Sequence, residues 1–465
     1  MESGVVLGGL LMNAHSLPAE CDIVECGPWR IAGRKQIMAE YENNCFILHG
    51  AVVWSEGLND LRQLDDGYVI CDEGLCAGVY EEIPEAYRDF PVEDHWDGII
   101  IPGLVDLHVH AAQYNNRALG MDMELIEWLD VLTFPEEARF AQDRDYAVMS
   151  YDAFAEDLFI GATTRAVVFA TADYLTTLKL MDALEDRGLV TYVGKVNMDR
   201  NVPDYYVETT KKSLRHTERW LSRVDGRYEN TMPILTPRFT PTCTRELMDG
   251  LGELAARYGL PVQSHLNENP REVEWVRELE PDSASYSDTY LRSGLFGGDV
   301  PTVMAHCIYN SEEEIALIRD RGVYVAHCPQ SNLNIASGIA PVRRFLDEGI
   351  HVGLGTDVSG GHSASIFETM KAAIQSSKMY WRYVDSTKKP LTFPEAFYLG
   401  TLGGGQFFGR CGTFREGYEF DAVILEDSNL YTMRDITPAQ RLERIVYLSD
   451  DRNVTGKFVR GEKLY

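Results

Sequence analysis

From about residue 45 onward, short runs of apolar residues alternate with longer segments whose apolar positions recur every three or four residues. The first pattern is that of buried strands and the second that of amphipathic helices, so the alternation predicts repeated βα units. The apolar runs fall at 100–108, 163–169, 190–196, 234–238, 262–265, 302–306, 323–327 and 351–356. Eight such runs separated by helix-length segments predict an α/β chain built around a (β/α)₈ barrel. Two of the intervening helices are legible from end to end. Ser311 precedes a segment with an apolar stripe that Gly322 closes, giving a cap, a buried face and a terminator. Its glutamates, Glu312, Glu313 and Glu314, read as a solvated first turn. Residues 247–258, followed by Gly259-Leu-Pro, form the second.

Both ends of the chain break this rhythm. The stretches beginning at Phe46 and Gly67, and those beginning at Phe420 and Val454, read as strands joined by turns. They predict a small β-sandwich built from the two ends. The expected organisation is an N-terminal extension of undetermined role at 1–44, a composite β-sandwich domain at 45–98 and 412–465, and the barrel at 99–411. No internal repeat and no low-complexity linker interrupts it.

Composition narrows the class. The chain has 465 residues, 45% hydrophobic and 25% charged, which suits an ordinary globular protein. No apolar run approaches the roughly 18–20 residues needed to span a bilayer. The start is briefly apolar but lacks a basic leader, so no secretory signal is expected. Nine cysteines, odd in number and scattered, point to reduced thiols and a cytoplasmic protein. Cys21 and Cys26 lie close together and read as bystanders. A formal net charge of -29 disfavours nucleic acid or another polyanion as partner and suits a small neutral molecule.

The candidate chemistry sits where the strands end. His108 and His110 close the first run, and residues two apart on a strand share a face, so both imidazoles can converge on a divalent metal such as Zn²⁺. Alone, a His-x-His pair is a weak signal. Arg238 and Phe239 end the fourth run, His265 and Glu268 the fifth, His306 the sixth, His327 the seventh and Asp357 the eighth. In a barrel these positions share one rim. Histidines at four strand ends, with an aspartate at another, are hard to explain as packing.

These motifs resemble the amidohydrolase superfamily, and within it the branch that deaminates guanine. Ile101-Pro-Gly-Leu-Val-Asp-Leu-His-Val-His is similar to the superfamily's first-strand signature, and Gly353-Leu-Gly-Thr-Asp to its last. Leu125-Ile-Glu-Trp-Leu, Thr133-Phe-Pro-Glu-Glu and Thr236-Pro-Arg-Phe resemble the elements that narrow the branch. Cys307 and His362 depart from the commoner residues. The resemblance covers about residue 46 to the end.

The resemblance implies one zinc per subunit held by His108, His110, His265 and Asp357. It implies that Asp357 takes a proton from water, that Glu268 shuttles protons to the ring and the leaving amine, and that His306 is a further polar contact at the attacked carbon. It implies a purine grip made by Gln113, Arg238, Phe239 and Trp128, together with His265 and Glu268. Lys195 reads as an ion-paired strand lysine and His327 as a brace. The implied reaction is the hydrolysis of guanine to xanthine and ammonia by a cytoplasmic homodimer. The alternatives are a sister deaminase acting on 8-oxoguanine, a pterin or an s-triazine, or a non-catalytic scaffold.

Overall fold

A computed structural model describes residues 44–465. The expected extension, with Cys21 and Cys26, lies outside the described residues except for Asn44. The chain is α/β. Eight parallel segments form two four-stranded sheets, the first ordered Leu104–His110, Thr163–Phe169, Val190–Gly194, Thr231–Pro233. The second is ordered Val262–Leu266, Thr302–His306, Tyr324–His327, Val352–Leu354. A parallel bridge from Leu235 to Val262 joins the two sheets at one seam. At the other seam Asp357 donates its N–H to the His108 carbonyl at 2.8 Å and His110 donates to the Val358 carbonyl at 3.0 Å.

The chain ends meet in one seven-stranded mixed sheet. The strand Val92–Pro102 pairs parallel with Phe46–Gly57 on one side and antiparallel with Ala422–Glu426 on the other. This sheet divides the first predicted run. The apolar stretch expected as one strand at 100–108 breaks at Gly103, so its first half belongs to the terminal sheet and its second half opens the parallel one. Only glycine fits at the break, because a Cβ at Gly103 would stand 2.2 Å from Thr164 Oγ1. Continuous hydrophobicity cannot reveal such a change of sheet, since both halves are buried.

Buried charge ties the two units together. Arg165, on a parallel strand, donates to both carboxylate oxygens of Asp421 at 2.5 and 3.0 Å. Lys457, in the terminal sheet, donates to the carbonyls of Leu158, Phe159 and Thr163 at 2.6–3.0 Å. Removing one partner of such a pair would strand the other in apolar surroundings, at a cost of about 3–5 kcal/mol.

Both helices read from sequence are present with their caps: Glu312–Arg321 between Ser311 and Gly322, and Arg245–Tyr258 closed by Gly259. One expectation about the first is corrected. Glu314 does not face solvent with its neighbours; it is buried, and its Oε1 accepts from Asn267 Nδ2 and from Ser287. Its other oxygen takes the Ser311 N–H at 2.9 Å, completing a capping box. Among the described residues no helix is long and apolar enough to cross a membrane, and Cys71, Cys76, Cys243, Cys307, Cys328 and Cys411 are buried free thiols.

Candidate active site

Every residue of the strand Leu104–His110 is buried, so its two histidines have left water and need partners. They find them at the carboxyl rim. His108 and His265 Nε2 each lie 3.2 Å from His110 Nε2. Asp357 Oδ1 stands 3.2 Å from His108 Nε2 and 3.4 Å from His110 Nε2. The tautomer of one ring is fixed by its outer partner. His265 Nδ1 is 2.7 Å from the Arg238 carbonyl, which only accepts, so the proton sits there and Nε2 presents a lone pair to the cluster. Donor atoms about 2.0–2.1 Å from one zinc at tetrahedral angles stand about 3.3–3.4 Å apart, and the observed separations fit that set.

Electrostatics prepares the same donors. Burial, aided by the neighbouring His108, lowers the His110 pKa to about 4. Burial and three adjacent imidazoles hold His265 well below the usual histidine range. Both are neutral at pH 7, the form in which imidazole binds a metal. Burial alone would raise the Asp357 carboxyl, but the surrounding histidines outweigh it and keep the group far below its ordinary value.

His306 stands closer to the cluster than a bystander would. Its Nε2 is 3.6 Å from Asp357 Oδ2 and 3.5 Å from Glu268 Oε2, while Nδ1 meets Asn332 Oδ1 at 2.8 Å. With His108, His265 and Asp357 it forms a group whose ligand atoms all lie within 4.8 Å of one another. Five donors therefore converge where four ligands and one neighbour were expected. The backbone is strained at this point: φ is +71° at His306 and +49° at both Cys307 and Asp357, a region L-residues seldom occupy.

Glu268 has the opposite character from Asp357. Burial, reinforced by the Asp357 charge, raises its pKa to about 8. Its Oε1 accepts from Ser337 Oγ at 3.0 Å, leaving Oε2 toward His306. Two neighbouring carboxyl groups pushed to opposite protonation states are the arrangement in which one takes protons and the other delivers them.

A narrow slot opens above the cluster. His110, His265, Glu268, His306 and Asp357 form its floor, and Gln113, Trp128, Arg238 and Phe239 its walls, with Leu125, Leu129 and Ile335 adding apolar surface. Every residue expected at the site is thus in the slot or, for His108, in the cluster beneath it. Trp128 is both wall and core, since it also packs with Phe134 and Met198. His327 is buried but does not line the slot, and its Nδ1 has no hydrogen-bond partner among the described residues. Lys195 pairs with Glu208 at 2.8 Å away from the site, and His362 is exposed beside Asn334.

Sequence reasoning missed the residues that hold the site in place. Asp106 accepts the backbone N–H of His108 and of Thr356 at 3.1 and 3.0 Å and the Thr356 hydroxyl at 2.5 Å, locking the first strand end to the last. Asn332 orients His306 and Ser337 orients Glu268. Glu137, within the Thr133-Phe-Pro-Glu-Glu motif, holds Arg238 and Gln113. That motif was the only hint of it.

Residues 99–464 match the amidohydrolase family model. The chain belongs to the amidohydrolase family. Within it, the chain is 36% identical to guanine deaminase of Dictyostelium discoideum over 414 residues, which span 87% of this chain and 89% of that protein. It is 38% identical to guanine deaminase of Homo sapiens over 379 residues, spanning 78% and 82% respectively. The crystal structure of guanine deaminase from C. acetobutylicum with guanine bound in the active site superposes with a TM-score of 0.88 at 44% identity, covering 90% of this chain and all of that one. These relatives place the chain in the guanine deaminase branch of its family.

Proposed function

We propose that this chain hydrolyses guanine to xanthine and ammonia. The observation that carries the reading is the pairing of a metal-type His and Asp cluster with a slot whose wall presents Arg238 and Gln113, in a chain similar to enzymes of that activity. His108, His110, His265 and Asp357 would hold a zinc ion, with His306 beside them. A zinc bound there would supply hydroxide at neutral pH by bringing the pKa of water down toward about 7.

The chain's own residues do the rest. Asp357, ionised, takes the proton that water loses. Glu268, holding a proton near neutral pH, delivers it to ring N3 as C2 becomes tetrahedral. It then takes the proton of the adduct's hydroxyl and carries it to the amine, so that C2 becomes a carbonyl as the C2–N bond breaks with ammonia as leaving group, and the proton held by Asp357 returns Glu268 to its acid form. His306 stands within reach of both carboxylates and would meet the adduct between them. Phe239 and Trp128 flank the ring, and the apolar slot limits bulk water, which strengthens each polar contact inside.

The architecture supports a closed (β/α)₈ barrel, since hydrogen bonds span both seams, but the barrel begins at Leu104 rather than at 99, because the strand Val92–Pro102 belongs to the terminal sheet. It also supports a separate unit formed by 45–98 and 412–465, whose single sheet would fold over as a sandwich. Free thiols fit a cytoplasmic protein, and the resemblance favours a homodimer. Ammonia release and loss of guanine absorbance, measured with metal content on the same sample, test the proposal. A panel including 8-oxoguanine, a pterin and an s-triazine separates it from its sister activities. Metal-loaded protein that frees no ammonia from guanine would refute it.

A further inference from the structure

One buried acid behind the slot wall takes no part in the chemistry above. Glu137 is inaccessible to solvent. Arg238 Nη1 donates to both of its oxygens at 2.9 and 2.7 Å, Gln113 Nε2 donates to Oε1 at 2.8 Å, and the Tyr206 hydroxyl donates to Oε2 at 2.7 Å. Burial pushes the carboxyl up, but Arg238 and Gln113 outweigh it and hold it below its ordinary value.

These contacts dictate what the wall can read. An ionised carboxylate only accepts, so the end of the Gln113 amide facing it must be the NH₂. The other end, Oε1, takes the Ser359 N–H at 3.2 Å, a group that only donates. The amide therefore has one orientation, assigned by its partners at both ends. One N–H and one oxygen lone pair remain for a ligand. Arg238 commits Nη1 to Glu137, which leaves Nε and Nη2 as donors and cancels the guanidinium charge.

We propose that Glu137 is the positioning residue that makes this wall accept a neutral lactam edge, a carbonyl beside an N–H, and reject its inverse, a bare ring nitrogen lacking the carbonyl. The proposal deepens the guanine reading and rests on it. A carbonyl oxygen meets donors from Arg238 and Gln113, and an N–H meets the Gln113 oxygen. A glutamine at 137 would turn a donor toward Arg238 or Gln113, freeing the amide to flip and leaving the guanidinium unbalanced.

The test compares two ligands that need not react, hypoxanthine, which carries the lactam edge, and purine, which lacks it. Calorimetry on the metal-loaded wild type should show hypoxanthine binding about tenfold or more tighter, since a ligand without the edge leaves buried partners unpaired. In Glu137→Gln that ratio should fall below about threefold, with guanine KM rising more than kcat falls. General structural damage would weaken both ligands alike and preserve the ratio, so an unchanged ratio overturns the proposal. Tyr206→Phe, which removes one donor and keeps the carboxylate, should shift the ratio in the same direction by less. Should Glu137→Gln fail to fold, this second variant decides the question, and a ratio it leaves unmoved overturns the proposal. Binding is read without turnover, so a wild type inert toward guanine would sink the functional reading while the ratio still judged Glu137.

Discussion

The floor and the wall of the slot are built differently. The floor comes from strand ends: His108, His110, His265 and His306 lie at the ends of parallel strands, and Asp357 follows another. The wall comes largely from the connection after the first strand. Gln113 sits in the helical turn Ala111–Asn116 and Trp128 in Leu125–Trp128, with Glu137 behind them in Phe134–Gln142. Strand ends are rigid and share backbone hydrogen bonds across the sheet, which suits donors that must sit within tenths of an ångström of a common ion. Connections can change length and content without disturbing the sheet. In such a division the wall can vary while the backbone hydrogen bonds that fix the floor stay in place.

Metal removal should separate the two regions most sharply. Chelation should abolish turnover and zinc should restore it, while the intrinsic fluorescence response to hypoxanthine, read at Trp128, should persist in weakened form; full activity in metal-free protein would contradict the assigned floor. Glu268→Gln should keep its metal and lose kcat by on the order of 10²–10⁴-fold, the usual contribution of a placed acid–base, and an unaltered kcat would remove Glu268 from proton transfer. Arg238→Ala should leave metal content intact and raise guanine KM by about 10–100-fold, the worth of a charged hydrogen bond of about 1.5–3 kcal/mol. It should also destabilise the fold by leaving Glu137 buried without its cation, and a normal KM would show that the grip lies elsewhere.

The smallest effect is in pH. Glu268, raised to about 8 by burial and Asp357, contributes stability that is complete below the ordinary glutamate pKa near 4.5 and is lost as pH rises through about 8. His110, lowered to about 4, contributes stability that is present above about 6.5 and is lost as pH falls toward about 4. The two slopes oppose each other in acid, leaving the Glu268 slope exposed between about pH 6.5 and 8. Metal-free protein should therefore lose Tm across that interval, and Glu268→Gln should lose less. Parallel melting curves for the two proteins would reject the assigned shift.

Most of the floor was legible because its signals are local. His108 and His110 share a face by strand geometry, and each further residue proposed as a ligand ends or follows its own apolar run. Helix ends were equally readable, since Ser311, Gly259 and Gly322 act on the turn beside them. The first strand was misjudged because both sides of Gly103 are apolar and buried, while the close approach of Thr164 that requires a glycine there comes from far along the chain. Glu314 looked solvated beside two other glutamates because its partners, Asn267 and Ser287, lie far back in the chain.

What the sequence determined by itself was the order of elements, their caps and the residues able to bind a metal or carry a proton, because periodicity and adjacency are properties of neighbours. Tertiary structure decided which carboxyl group is charged and which way the Gln113 amide faces. It also decided which partner completes Arg238. Those outcomes depend on burial and on contacts between residues such as Glu137 and Arg238, 101 positions apart, and the energy of a charge out of water is set by what folding places beside it.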